Sequence, residues 1–218
     1  MSNLHGNSAN IAMRAGQRQV WDETARDFSD AAAIVAPASE IISKRLIALA
    51  HVASGQRVLD VATGAGDPAL TAAQVVGPTG EVVGIDHAPQ MLEMARQRTA
   101  AAGLTNVTFV EGNAQTLDLP RESFDAVLSR WGLMFFLPLV PALEGFRRVL
   151  RPGGYLAAAV WGAPQEVPII SASCALSSSN LAGRFLRPMR PALSTSPTRA
   201  SWPRNWWTRG STTRGLSR

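Results

Sequence analysis

Val58-Leu59-Asp60-Val61-Ala62-Thr63-Gly64-Ala65-Gly66 is the stretch on which the reading of this chain turns. An apolar strand runs directly into a glycine turn, and one acid, Asp60, sits inside the strand four residues before the first glycine. Twenty residues beyond Gly66, a second apolar run, Val82-Val83-Gly84-Ile85, ends on another acid, Asp86. Glycine lets a ligand come close to the backbone and adopts conformations closed to other residues. A carboxylate closing the second strand suits a pair of ribose hydroxyls. The two features together point to an adenosine-bearing cofactor.

They leave open which one. Gly64-x-Gly66-x-x-Ala69 also satisfies the loose dinucleotide fingerprint. Against NAD stands Asp60, which would set a negative charge beside a pyrophosphate. About fifty residues also precede the first strand, whereas dinucleotide domains commonly start near it. A cationic ligand gains from an acid at the turn by Coulomb attraction. S-adenosylmethionine carries a sulfonium and an ammonium and has no phosphate, so it is the better match; an NAD-dependent oxidoreductase is the weaker alternative.

Outward from this stretch, strands and helices alternate. A helix is predicted from Gln17 to Ser29, with Val20, Trp21, Ala25 and Phe28 on one stripe. A second follows Pro37, its apolar positions at Ile41, Ile42, Leu46, Ile47 and Leu49-Ala50, and ends before Gly55. Strands are predicted at Arg57 to Ala62, Glu81 to Asp86, Val107 to Glu111, Phe124 to Ser129 and Tyr155 to Trp161. Helices lie between them at about Asp67 to Val76, from Pro89 to near Gly103, and at about Val140 to Leu150. Gly77-Pro78-Thr79-Gly80 reads as a turn and Arg151-Pro152-Gly153-Gly154 as a hard stop and turn. This alternation predicts an α/β fold: a Rossmann-like doubly wound sheet, its first five strands parallel, with helices on both faces. Ligands then bind at the carboxyl ends of the strands, so the residues just after strands one to four should line one cleft.

The chain's 218 residues are enough for one domain with a real core. The single cysteine, Cys174, leaves neither an intramolecular disulfide nor a cysteine-based metal cluster, and no metal site is expected. No apolar run has the length to cross a membrane, and the start of the chain lacks a secretory pattern. A cytoplasmic setting is therefore expected. The net charge of +5 conceals an asymmetry: residues 1–170 carry a net −3 and residues 171–218 a net +8. The domain itself shows no basic nucleic-acid face.

Residues Trp21 to Trp161 resemble the class I S-adenosylmethionine (SAM)-dependent methyltransferases, and within them the group holding the ubiquinone/menaquinone-biosynthesis C-methyltransferases, the type 11 methyltransferases. The pieces that carry the resemblance are Leu59-Asp60-Val61-Ala62-Thr63-Gly64-Ala65-Gly66-Asp67, Gly84-Ile85-Asp86 with Met91-Leu92, Gly112-Asn113-Ala114-Gln115, Ser123-Phe124-Asp125-Ala126-Val127, and Arg147-Arg148-Val149-Leu150-Arg151-Pro152-Gly153-Gly154. The resemblance implies methyl transfer from SAM to a small, apolar acceptor. It implies that Asp60 orients the methionine ammonium through water, and that Thr63, Gly64, Ala65 and Gly66 wrap the methionine and ribose. Asp86 takes both ribose hydroxyls, Met91 lies on the adenine, and Asn113 and Ala114 meet the adenine edge. His87 and Arg130 complete the cofactor set, with His87 at the exposed rim. Quinone-group members often have a serine at the place of Arg130, which departs from that pattern. The segment Arg130 to Phe136 would face the acceptor. No catalytic base is assigned. A tyrosine from the N-terminal cap often helps in related enzymes, but Phe28 stands in that region and the only tyrosine is Tyr155.

Plainer readings compete at several positions. Met91 at helical spacing suits a core equally well. Asp67 fits a helix N-terminus better than a ligand, and Asp125 fits a brace of the sheet. Trp131, Met134 and Phe135 suit packing. Three parts are expected: an N-terminal helical cap at 1–52, a SAM-binding core at 53–167, and a basic low-complexity tail at 168–218. Residues 171–218 hold ten serines, eight arginines and three tryptophans, with no valine, isoleucine, acid or lysine. The tail reads as an aberrant continuation, with the sheet-closing strands of the family expected to be missing. The alternative is a disordered basic tail that binds nucleic acid or an anionic membrane through its arginines and tryptophans. A second functional class follows from the truncated reading, a non-catalytic SAM-binding or interaction protein. The acceptor atom and the oligomeric state are open.

Overall fold

Five apolar runs become five parallel strands: β1 (Arg57–Val61), β2 (Glu81–Asp86), β3 (Val107–Glu111), β4 (Phe124–Arg130) and β5 (Leu150–Ala159). The computed structural model describes residues 18, 19, 21, 22, 25, 36–116, 118–136 and 138–162. Residues 36–49 form helix α1; α2 (Ala69–Val76), α3 (Pro89–Ala101) and α4 (Leu139–Val149) follow. Residues 18, 19, 21, 22 and 25 are also helical, within the first predicted helix. Phe28 lies outside the described residues, as does the tail. The chain divides into two units, Met1–Val167 and Pro168–Arg218, and the fold described here belongs to the first.

The strand order is β3-β2-β1-β4-β5, and every neighbouring pair is parallel. The chain steps from β1 outward through β2 to β3, then returns to the other side of β1 for β4 and β5. Right-handed crossovers in opposite directions put their helices on opposite faces. The order therefore reverses between β1 and β4, and a crevice opens at their carboxyl ends. Three strands supply the centre of the core: Val58, Leu59, Val61, Val82, Phe124, Val127 and Leu128 are fully buried. Near-continuous apolar runs, rather than alternation, are what a sheet covered on both faces requires.

Asp125 braces the amino end of the sheet. Its carboxylate accepts from the Arg57 backbone N–H at 2.8 Å and from Arg151 Nη1 at 2.6 Å. Burial raises its pKa, but these partners outweigh burial and hold the carboxyl below its ordinary value.

Two departures from the predicted pattern have clear causes. Arg151-Pro152-Gly153-Gly154 is not a turn ahead of β5 but part of it. Phe124 pairs with Leu150 and Ala126 with Tyr155, so the β5 side carries extra residues in a bulge, with Gly153 at φ +83°. Proline is admissible there because β5 is an edge strand with no further ladder to feed among the described residues. On α1, Ile41 is 70% exposed and Leu49 is 51% exposed, whereas Ser39, Ser43, Leu46, Ile47 and Ala50 are buried. The buried stripe thus passes through two serines, which face a charged group described below.

Candidate cofactor site

Apolar β1 ends at Val61, and the next residues reverse the chain into α2. Ala62 (φ +57°), Gly64 (φ +54°) and Gly66 (φ +101°) all take positive φ. Only glycine does so freely, so Ala62 is a strained position of the kind found at ligand sites. Gly66 also sits close under α2 and α3: a Cβ there would lie 2.4 Å from Leu70 Cδ1 and 3.2 Å from Ala95 Cβ. Arg98, from α3, holds the loop by donating to the Ala65 carbonyl at 2.6 Å and to Asp67 at 2.7 Å. Asp67 is accordingly an ion-pair partner and not a ligand group.

Asp60 lies beneath this loop with no exposure. Its Oδ2 accepts from Thr63 Oγ1 at 2.6 Å and from the Ala69 N–H at 3.0 Å. Its Oδ1 is buried with no hydrogen-bond partner among the described residues. Burial raises the Asp60 pKa to about 7, against the pull of Thr63, the Arg130 charge and the Ala69 N–H. A buried carboxylate oxygen without a donor is costly unless something else supplies one.

Asp86 ends β2 and is 7% exposed. Its Oδ2 accepts from the Gly64 N–H at 2.8 Å and its Oδ1 from the Ala88 N–H at 3.0 Å. His87 Nδ1 stands 3.5 Å from Asp86 Oδ1, while His87 Nε2 is buried without a partner among the described residues. Asp86 and His87, with Ala62, Asn113 and Ala114, line a cavity of about 280 Å³. Phe136 and Arg18 line it as well. That volume lies near the lower end of small-molecule sites. The carboxyl ends of β1, β2 and β3 thus open onto one cleft, with Phe136 from beyond β4.

The helical residues near the chain start meet the rim of this cleft. Arg18 Nη2 pairs with Glu111 Oε1 at 2.7 Å, Asp22 accepts from the Gln90 N–H at 3.1 Å, and Trp21 meets Phe135 edge-on at 5.6 Å. Ala25 packs with Ala65, Ala88 and Met91. Met91 is 3% exposed in that cluster and is not among the cavity-lining residues. Arg130 also turns away from the cavity: its Nη1 donates to the Ser39 carbonyl at 3.0 Å and to Ser43 Oγ at 2.9 Å on α1.

Past β4, Trp131 has φ +62° and Gly132 packs against the loop after β1. A Cβ on Gly132 would lie 2.6 Å from Ala62 Cβ, 2.7 Å from Ser129 Oγ and 3.2 Å from the Val61 carbonyl. Gly132→Ala is therefore expected to cost about 1–3 kcal/mol by overpacking and to lower the thermal midpoint. A melting curve unchanged from that of the parent protein would show that the two loops are not in contact.

This geometry is matched by known proteins. A family model described as a methyltransferase domain matches residues 53–197. The chain belongs to this family, the class I SAM-dependent methyltransferases. A demethylmenaquinone methyltransferase of Geobacillus kaustophilus is 41% identical over 104 residues, which cover 48% of this chain and 44% of the relative. One from Listeria monocytogenes is 39% identical over 114 residues, covering 52% and 48%. The chain thus spans about half the length of the curated relatives it matches. A solved SAM-dependent methyltransferase from Aquifex aeolicus superposes with a TM-score of 0.51 at 26% identity, over 65% of this chain and 78% of that one. The α/β sheet read from the sequence is the fold of these proteins.

SAM is the cosubstrate of the family, and the residues present fit it. The positive-φ turn leaves open space at Gly64, where an added Cβ would meet nothing within 4 Å. The orphaned Asp60 Oδ1 is matched in charge to an ammonium, and the Asp86 carboxylate retains acceptor capacity toward the cavity. The sequence reading missed Arg18, which reaches the cavity from far along the chain, and Phe136, which it grouped with the acceptor side. It carried no sign of the strain at Ala62.

Proposed function

We propose that this chain binds SAM in the cleft at the ends of β1, β2 and β3 and transfers its methyl group to a small, apolar, quinone-like acceptor. The observation that carries the reading is the pair of buried carboxylates, Asp60 and Asp86, on either side of the Gly64–Gly66 turn, one of them with an unpartnered oxygen. In this reading Asp60 receives the amino group, with the Thr63 hydroxyl fixing the carboxylate's orientation. Asp86 accepts from the ribose diol, and the Gly64 N–H holds that carboxylate in place. Asn113 and Ala114 frame the adenine, and His87 stands at the ribose rim. The aromatic side of the cleft, Trp21 against Phe135 with Phe136 beside them, suits an apolar acceptor.

The bound sulfonium supplies an already activated methyl group. What remains for the protein is to hold two reactants in line and exclude water, which is a large rate effect by itself. Tyr155 cannot assist as a base at the cleft: it pairs with Ala126 in the amino half of the sheet and its ring meets His51 at 4.6 Å. Together with the absence of membrane-length apolar runs in the sequence, the reading keeps a cytoplasmic setting.

Calorimetric titration with S-adenosylhomocysteine, with NAD as control, tests the proposal. Binding of the thioether alone is expected. Binding of NAD, or of neither compound, would overturn the cofactor reading.

A further inference from the structure

The two edges of the sheet are finished differently. β3 is five residues long and ends on Glu111, which is held by Arg18 at 2.7 Å. β5 is ten residues long, and no strand pairs with its outer side among the described residues. Its second half and the two residues after it read Tyr155-Leu156-Ala157-Ala158-Ala159-Val160-Trp161, with neither a charge nor a proline. Tyr155 is 49% exposed, Val160 55% and Trp161 40%. Charges, proline, bulges and short length are the usual means of keeping an edge strand unpaired. Here Pro152 and the bulge guard only the amino half of β5, and the rest has no such protection.

The backbone of this segment is directed outward at fixed positions. The Ala159 carbonyl accepts from the Trp131 N–H at 2.7 Å, so Ala159 faces β4. The N–H and C=O of one strand residue point to the same side, and that side alternates along the strand. Tyr155 and Ala157 therefore face β4 with Ala159, while Leu156, Ala158 and Val160 aim their N–H and C=O away from the sheet. Side chains alternate as well, so Tyr155, Ala157, Ala159 and Trp161 share one face and Leu156, Ala158 and Val160 the other.

We propose that β5 pairs antiparallel with β5 of a second copy of this chain, about a twofold axis at Ala158, in one continuous sheet with five strands from each subunit. An isologous contact needs a surface complementary to itself, and this register supplies one. It sets Ala158 opposite Ala158 of the partner subunit and Leu156 opposite Val160 of the partner subunit, as the hydrogen-bonded pairs. It also sets Tyr155 opposite Trp161 of the partner subunit, on the same face. Each exposed apolar residue of the segment thus gains an apolar partner, twice over by symmetry, and aromatic cross-strand pairs are stabilising. The Trp161 ring is already fixed for this contact by stacking on Trp131 at 4.6 Å. Other centres do worse. A twofold axis at Leu156 would set Val160 against Pro152 in the bulge, and one at Val160 would leave Tyr155 without a partner in the segment. The inference does not depend on the cofactor reading.

Sedimentation and cysteine cross-linking of the full chain test it. The parent protein is expected to sediment as a dimer. Ala158→Lys places two ammonium groups against each other at the axis and should weaken the dimer roughly tenfold or more, with a melting curve that still shows a folded subunit. Cross-linking is done with the native thiol removed by Cys174→Ser. In that background Ala158→Cys should form an intersubunit disulfide on mild oxidation, because a hydrogen-bonded antiparallel pair has its Cα atoms about 5.5 Å apart, within disulfide reach. Ala157→Cys should not, because residue 157 faces residue 159 across the axis and not its own copy. A monomer at all concentrations overturns the inference, since the edge would then be covered by the chain itself or left to water. A dimer that ignores Ala158→Lys and is not cross-linked by Ala158→Cys uses another surface, which overturns it too. Open-ended aggregation, or cross-linking by Ala157→Cys in place of Ala158→Cys, would rule out this closed twofold register.

Discussion

Asp86→Ala is expected to reduce S-adenosylhomocysteine binding by at least a hundredfold, beyond detection in an ordinary titration. Two effects add. The Asp86 carboxylate would accept two hydroxyls of the ribose diol, and hydrogen bonds to a charged group are worth roughly 1.5–3 kcal/mol each. The same carboxylate holds the Gly64 N–H at 2.8 Å and the Ala88 N–H at 3.0 Å. Without it, the glycine turn loses the anchor tying it to the end of β2, and α3 loses the acceptor just ahead of Pro89. Asp86→Asn separates the two. Its remaining carbonyl can keep one backbone anchor, so the fold should melt close to the parent protein while affinity falls by an intermediate factor. Retained affinity for S-adenosylhomocysteine in Asp86→Ala would overturn the assignment of the cofactor.

The sheet was legible in the sequence because its strands are short apolar runs separated by glycine, proline and polar turns. β2 and β3 begin and end where the pattern places them, and β1 and β4 differ from it by one residue at the carboxyl end. That pattern is a property of buried parallel strands, and it needs no knowledge of the partner strand. β5 shows where such reasoning stops. Arg151-Pro152-Gly153-Gly154 has the composition of a turn, yet Arg151 is drawn to Asp125 at 2.6 Å and the segment is absorbed as a bulge. Only the presence of β4 alongside decides that, and β4 lies outside any local window.

The site divides in the same way. Asp60, Gly64, Gly66 and Asp86 were readable because their spacing along the chain is dictated by one strand–turn–helix–strand unit. Arg130 could be named but not aimed, since its direction depends on Ser39 and Ser43, which lie some ninety residues earlier. The stripe prediction placed Ile41 inward because hydrophobic periodicity ranks isoleucine above serine. The structure turns the serines in because a buried guanidinium needs acceptors more than the core needs another apolar side chain. Met91 shows the opposite case. Its helical spacing is shared by core and ligand positions alike, and packing against Ala65 and Ala88 takes it into the core.

Asp60→Asn is expected to do two opposite things, weakening the ligand and strengthening the fold. In the folded protein the carboxyl of Asp60 has its pKa raised by burial to about 7, from 3.8. The folded state thus holds this proton more tightly than the unfolded chain. The cost of ionising it is absent below pH 3.8 and grows as pH rises, reaching its full size above about 7. A difference of that size corresponds to about 4 kcal/mol, an upper figure, because water entering the site would lessen it. Asparagine carries no charge, and its carbonyl can still accept from Thr63 Oγ1 and the Ala69 N–H. The ligand-free variant should therefore melt higher than the parent at pH 8, with the advantage shrinking toward pH 5. Binding should move the other way. Only the ionised carboxylate attracts the ammonium, so affinity of the parent protein should rise about tenfold from pH 6 to pH 8, and the asparagine variant should lack that rise. A variant no more stable than its parent at pH 8 would mean that the buried charge is already compensated within the protein. The orphaned oxygen would then have no ligand to explain it. If both effects appear, the protein is carrying an unpaired charge at a cost to its own stability, and the cationic end of the cosubstrate is what relieves it.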